Sequence, residues 1–231
     1  MLTRRRRAAV LAVTMTFTLA GAASATAATA ATAATAATAA TALTTVASWP
    51  LTTDGRDITG NGHTAVVDPT MPGVSFGPSG ATFNGNGRLV VAKSAQLSPD
   101  GRDFQFGLSY VTAADSHANL LQAGNTHLTD PFVKIELAGV PKCRITGALD
   151  SVPLKASTST VDGKWHTASC SRTGPLLQFV IDGVVVAHRQ VDVGFVDLSP
   201  KDWYMGAKGG RNVDDGDKFT GKIRNAYVGI G

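Results

Sequence analysis

The hydrophobic and polar positions alternate with a period of two over most of the chain, and the clearest case is the stretch from Lys164 to Arg189. Leu177, Phe179 and Ile181 alternate with polar or smaller neighbours and run into Asp182-Gly183, after which Val184 to Val186 resume an apolar run. Both residues of an Asp-Gly pair can take positive φ, as a two-residue type I′ turn requires. A hairpin is therefore expected, pairing Ile181 with Val184, Phe179 with Val186 and Leu177 with His188. Just before it, His166, Ala168 and Cys170 fall on one face of a third strand, and Trp165, Thr167 and Ser169 on the other. Three such strands need a second sheet to cover them.

The same reading extends over the chain. Strands are expected at 46–51, 65–68, 81–83, 88–91, 104–112, 118–122, 132–137, 143–147, 164–172, 176–181, 184–190, 203–206 and 221–228. Turn signals separate them: Asp54-Gly55, Gly60-Asn61-Gly62, Asn84-Gly85-Asn86-Gly87, Asp100-Gly101, Asp162-Gly163 and Gly209-Gly210. No long apolar period of 3.6 follows residue 42. The pattern predicts an all-β fold, a two-sheet antiparallel jelly-roll sandwich. In the 132–137 strand, Val133, Ile135 and Leu137 should face the core, with Phe132, Lys134 and Glu136 on the other side. In the next strand Cys143 and Ile145 should point inward, and Arg144 and Thr146 outward. Lys134, Glu136 and Arg144 then form a polar patch on an outer face, either solvated or in contact with a ligand. In Trp203-Tyr204-Met205 alternation turns one of the two rings outward, where it could stack on a sugar.

The N-terminal region has another character. Arg4 to Arg7, the apolar run 8–20 and Ala23-Ser24-Ala25 have the form of a signal peptide, placed at 1–25. The run is shorter than the roughly 20 residues of a membrane-spanning helix, so no membrane span is expected after cleavage, and the location is secreted. Residues 26–42 repeat Thr-Ala-Ala and then Thr-Ala. That period fits neither helix nor strand, and a disordered spacer is expected. The folded domain is placed at 43–231. The chain holds 21 Lys+Arg against 17 Asp+Glu. Removing Arg4 to Arg7 leaves 21 − 4 = 17 against 17, so the mature charge is near zero and a nucleic-acid partner loses its main support.

Several motifs resemble those of laminin G-like (LamG) domains, of the concanavalin A-like lectin/glucanase superfamily and of secreted actinobacterial type. Gly163-Lys164-Trp165-His166-Thr167, Cys170 and Asp182-Gly183-Val184-Val185-Val186 resemble the central signature. Val46 to Leu51 with Asp57-Ile58-Thr59-Gly60-Asn61-Gly62-His63 resembles the opening strand and its turn, and Phe219 to Ile223 the closing strand. The resemblance implies a β-sandwich over about 43–231, but it specifies no ligand.

For the two cysteines, Cys143 and Cys170, an even count in an exported chain favours a disulfide, and the resemblance implies a pair at these places. The alternative is two buried thiols. Bridging 170 − 143 = 27 residue steps contributes about 3–4 kcal/mol in the chain-entropy model. The superfamily also includes glucanases, whose strand carries Glu-x-Asp-x-x-Glu, two carboxylates about 5.5 Å apart. Here Glu136 is the chain's one glutamate, and the next acidic residue is Asp150. No catalytic residue is therefore assigned, and the chain is read as a non-enzyme. His166 and Trp165 are read as packing residues. The relatives suggest calcium, for which loops rich in Asp and Asn are candidates. Asp54, Asp57 and Asn61 form one such loop and Asp214, Asp215 and Asp217 another, and the two are expected to converge. The ligand-binding candidates are Tyr204, Trp203, Lys134, Glu136 and Arg144. The reading is a non-catalytic binding module for glycan or an extracellular protein. The alternatives are an adhesion domain without a small ligand and an atypical glycoside-active enzyme.

Overall fold

A computed structural model describes residues 42–114, 117–124, 130–209 and 217–231. The expected signal peptide and nearly all of the Thr-Ala-Ala spacer lie outside the described residues. Thirteen strands follow in order: β1 (Thr44–Trp49), β2 (Ala65–Ser75), β3 (Ala81–Val91), β4 (Phe104–Val111), β5 (Ala118–Ala123), β6 (Phe132–Ala138), β7 (Val140–Thr146), β8 (Ser151–Lys155), β9 (Trp165–Thr173), β10 (Leu176–Ile181), β11 (Val184–Gln190), β12 (Trp203–Met205) and β13 (Thr220–Ile230).

The pairing is antiparallel throughout and runs β11-β10-β9-β4-β13-β3-β12-β5-β6-β7-β8, with β1 on β13 and β2 on β3. The long strand β13 is the hinge of this ladder. Thr220 to Ile223 pair with Asn84 to Ala81 of β3, and beyond Asn225 the strand pairs with β1 instead. Asn225 has φ 51° and marks a register shift against β4. A front layer (β11-β10-β9-β4-β13-β1) and a back layer (β2-β3-β12-β5-β6-β7-β8) result, and their inner faces enclose one apolar core. The antiparallel β-sandwich expected from the alternation is what the chain forms.

Cys143 of β7 and Cys170 of β9 are disulfide-bonded across the two layers, with Cα atoms 6.2 Å apart. Both are fully buried, Cys143 beside Ile135 and Leu154, Cys170 beside Phe106 and Phe179. The bridge therefore clamps the middle of the core.

Three local expectations need correction. The segments 81–83 and 88–91 are one strand. Asn84 to Gly87 form a bend within it, where Gly85 takes φ 82°. A Cβ on Gly87 would lie 2.2 Å from the carbonyl oxygen of Gly73, so β2 and β3 approach too closely there for any other residue. Second, the hairpin turn forms as expected, with Asp182 and Gly183 at φ 50° and 79°. Its register then slips: Val180 pairs with Val185, but Phe179 pairs with Ala187 and Leu177 with Arg189. Val186 is the extra residue of a β-bulge. Third, β8 is a strand missed by the pattern, because Pro153 sits in its middle. As an edge strand it can hold proline with the missing donor on the unpaired side.

Candidate functional site

The back layer has a core-facing side and an outer side, and the register assigns every residue to one of them. Leu89, Met205, Leu121, Ile135, Cys143 and Leu154 form one inward row. One residue along each strand, the outward row reads Val66, Val90, Tyr204, Gln122, Lys134, Arg144 and Pro153. A second outward row reads Asn119, Glu136, Lys142 and Lys155. Four of the five sequence-predicted ligand residues therefore meet on one face: Tyr204, Lys134 and Arg144 in one row and Glu136 in the next. The fifth does not. Trp203 is 1% exposed and packs edge-on against Phe106 in the core. Tyr204 is the outward ring of the pair.

This face is not a solvated surface patch, which corrects the blander expectation. Gln122 and Asn119 are fully buried, Lys134 is buried, and Arg144 and Glu136 are half-buried. Ala207 to Gly209 fold over its Tyr204 end. The Lys208 carbonyl accepts from Arg88 Nη1 at 2.8 Å, and Gly209 lies against the Tyr204 ring. Arg88 itself pairs with Asp68, 2.8 Å from Nε to Oδ2, and its guanidinium stands 5.5 Å over Tyr204. Burial works against the ionised Asp68, yet bonds from Thr70 and Arg88 outweigh it and hold its carboxyl below the usual range. At the other end Lys134 Nζ pairs with Glu136.

What remains on the face is incomplete. Gln122 Nε2 donates to the Gly124 carbonyl, but among the described residues Gln122 Oε1 has no partner. Neither amide atom of Asn119 has one among them, nor has the buried Nε of Arg144. Buried polar groups left unpaired are costly and uncommon. The charges are also unbalanced. The two rows carry four cations, Lys134, Lys142, Arg144 and Lys155, against the single carboxylate of Glu136. Lys142 and Lys155 stand directly opposite each other, an arrangement that repels unless an anion lies between. Sequence reading missed Gln122, Asn119, Lys142 and Lys155, since only the register shows that they share the face.

The expected calcium ligands are placed otherwise. Asp57 Oδ1 accepts from the amides of Ser48 (3.0 Å) and Thr59 (2.9 Å), and its Oδ2 accepts from the amide of His63 (3.2 Å). Burial opposes its ionisation, but these donors and the Thr59 hydroxyl keep its carboxyl below the usual range. Asp54 is taken by Arg56, and the Asn61 amide donates to the Val46 carbonyl at 2.9 Å. These oxygens hold the loop together. Asp217, the described member of the second loop, lies away from the first. Gly55 bonds to Ala65, opposite Val91 of β3, whereas Asp217 precedes Thr220, opposite Asn84 of the same strand. Seven residues of strand, on the order of 20 Å, separate those points. Asp214 and Asp215 lie outside the described residues. Among the described residues no three His, Cys, Asp or Glu side chains converge as a metal site.

His166 lies on the face it shares with Ala168 and Cys170, its ring 6.0 Å from that of Tyr110, and Trp165 lies on the other. His166 Nδ1 lies 2.7 Å from Asp182 Oδ2, and Nε2 lies 3.0 Å from Asp162 Oδ1, so the ring ties the hairpin turn to the preceding loop. Burial disfavours the imidazolium, but the two carboxylates outweigh it and raise the His166 pKa above its ordinary value. Trp165 is half-buried on the outer face of the front layer, with the Arg224 guanidinium 4.0 Å from its ring centre.

The fold is an antiparallel β-sandwich with a polar outer face and a disulfide joining its two layers. The laminin G domain family model matches residues 112–230, more than half of the 231 residues, and the chain belongs to that family. Among solved structures, domain 4 of AbnA, a GH43 extracellular arabinanase from Geobacillus stearothermophilus in complex with arabinotriose, matches at TM-score 0.63 and 15% identity. That match covers 82% of this chain and 93% of the other. The binding domain of Paraclostridial Mosquitocidal Protein 1 matches at TM-score 0.58 and 16% identity, over 80% of this chain and 48% of that one. The LG1-3 region of the laminin alpha2 chain matches at TM-score 0.51 and 17% identity, over 65% of this chain and 34% of that one. At these identities the likeness speaks for the fold. No curated protein sequence matches the chain.

Proposed function

We propose that this chain is an extracellular, non-catalytic glycan-binding module, and that its ligand is an acidic polysaccharide lying on the outer face of the back layer. The observation that carries the reading is the excess of Lys142, Arg144 and Lys155 over carboxylate on that face, with Lys142 and Lys155 directly opposite each other. That excess asks for an anion, a uronate carboxylate or a sulfate ester. Tyr204, Arg144, Lys142 and Lys155 form the reachable rim, and Gln122, Lys134 and Asn119 the buried floor.

A binding role without turnover is supported by the same rows. Glu136 is their one carboxylate and is tied to Lys134, whereas glycoside cleavage uses two carboxyl groups facing the bond. The export-type N-terminus and the disulfide support an oxidising, extracellular setting. The test is a polysaccharide array, with neutral, carboxylated and sulfated members, probed with the mature chain and with Arg144→Ala. Retention on acidic members, weakened in the variant, is expected. Retention on neutral members alone, or release of reducing ends from any member, overturns the reading.

A further inference from the structure

The outer face of the front layer holds a second feature, independent of the back-face reading. One row there runs Arg224, Ser109 and Thr167, and the next runs Tyr227, Gly107, Ser169 and Val180. Between them lies a hollow of about 360 Å³, lined by Ser109, Thr167, Ser169, Val180, Asn225 and Tyr227. That volume is within the range of small-molecule sites.

Tyr227 is laid across the sheet. A Cβ on Gly107 would lie 2.9 Å from Tyr227 Cε1. Glycine at 107 lets the ring lie flat on the backbone, as no side chain would. Ser109 is only 9% exposed, and it lines the hollow. Arg224, beside Ser109 in the row, has a buried Nε without a partner, and its charge is spent on the Trp165 ring. Thr167 carries Asp182 at its amide, so one carboxylate and one guanidinium balance at the rim.

A flat aromatic ring beside serine and threonine hydroxyls, in a hollow without excess charge, suits the apolar face of a neutral sugar ring. We infer that this hollow is a second binding site, for one uncharged pyranose unit, with Tyr227 as the stacking platform and Ser109, Thr167 and Ser169 as its polar contacts. The domain then holds neutral sugar on one sheet and acidic polymer on the other, and can bridge two chains.

The experiment is amide chemical-shift mapping of the mature protein with cellobiose, maltose and lactose, each titrated separately. At least one of the three is expected to move the amides of Ser109, Thr167, Ser169 and Gly183. Affinity should fall about tenfold in Tyr227→Ala and stay unchanged in Arg144→Ala. Ser109→Ala, which removes the hydroxyl and adds no bulk, covers the case in which Tyr227→Ala fails to fold, and should also weaken binding. Absence of these shifts with all three sugars, shifts confined to the back layer, or equal binding by Ser109→Ala overturns the site.

Discussion

Two regions of this sandwich come from the same kind of strand and end with opposite electrostatics. At the hairpin end of the front layer the charges are matched: His166, on the side that also carries Ala168 and Cys170, sits between Asp162 and Asp182. On the outer face of the back layer Lys142 faces Lys155, and among the described residues Arg144 has no carboxylate and the Gln122 and Asn119 amides are left incomplete. A region whose groups satisfy one another contributes to holding the fold. A face whose buried groups are unsatisfied costs stability and is retained where a ligand completes it. The contrast assigns the front clamp to stability and the back rows to recognition of an acidic polymer.

The largest expected effect falls on what joins the two layers. Cys143→Ala with Cys170→Ala should lower stability by about 3–4 kcal/mol, read from denaturant midpoints at constant slope. Next, Asp57→Ala leaves the amides of Ser48, Thr59 and His63 without their acceptor. It should cost about 2–3 kcal/mol whether or not calcium is present. A calcium-dependent loss would show that Asp57 serves a metal.

The front clamp gives a pH signature. His166 has a raised folded pKa, so its contribution is fully present below the unfolded value and fades as pH rises through the folded one. Asp162 and Asp182 have lowered folded pKa values, so their contribution is present above the unfolded value and fades as pH falls through the folded one. The clamp is therefore strongest between about pH 4 and pH 6.5. His166→Ala should cost about 1–2 kcal/mol in that window and less at pH 8, while leaving acidic-glycan binding intact. A pH-independent loss would separate His166 from the two carboxylates. Smallest in stability is Arg144→Ala, which should leave the melting temperature nearly unchanged and weaken acidic-glycan binding about tenfold. A variant that lost stability and kept binding would invert the assignment of the two regions.

Much of the fold was legible because it is local. Asp182-Gly183 dictates its turn by itself, and strict alternation in Val133, Ile135 and Leu137 fixes their side of the sheet. What was not legible depends on partners far away in sequence. Val186 becomes a bulge only against Phe179 and Val180, and Pro153 is tolerated because β8 is an edge. Alternation turned one ring of Trp203 and Tyr204 outward, but pairing with Leu121 to Ala123 decided which. The candidate face was half legible. Lys134, Glu136, Arg144 and Tyr204 were read from chemistry and alternation, whereas Gln122, Asn119, Lys142 and Lys155 join them only through the register of four strands. For the calcium candidates the residue types alone do not decide, because Asp and Asn also build turns, and Asp57 accepts from the amides of its own loop.

The most direct measurement is calorimetric titration of the mature chain with polygalacturonate and with its fully methyl-esterified form, at low and high salt. The two polymers share their hydroxyls and differ in charge. The account predicts binding to the free acid, weakening with salt and with Lys142→Ala/Arg144→Ala/Lys155→Ala, and little binding to the ester. Equal affinity for acid and ester, or binding of the acid undiminished in the triple variant, would contradict it.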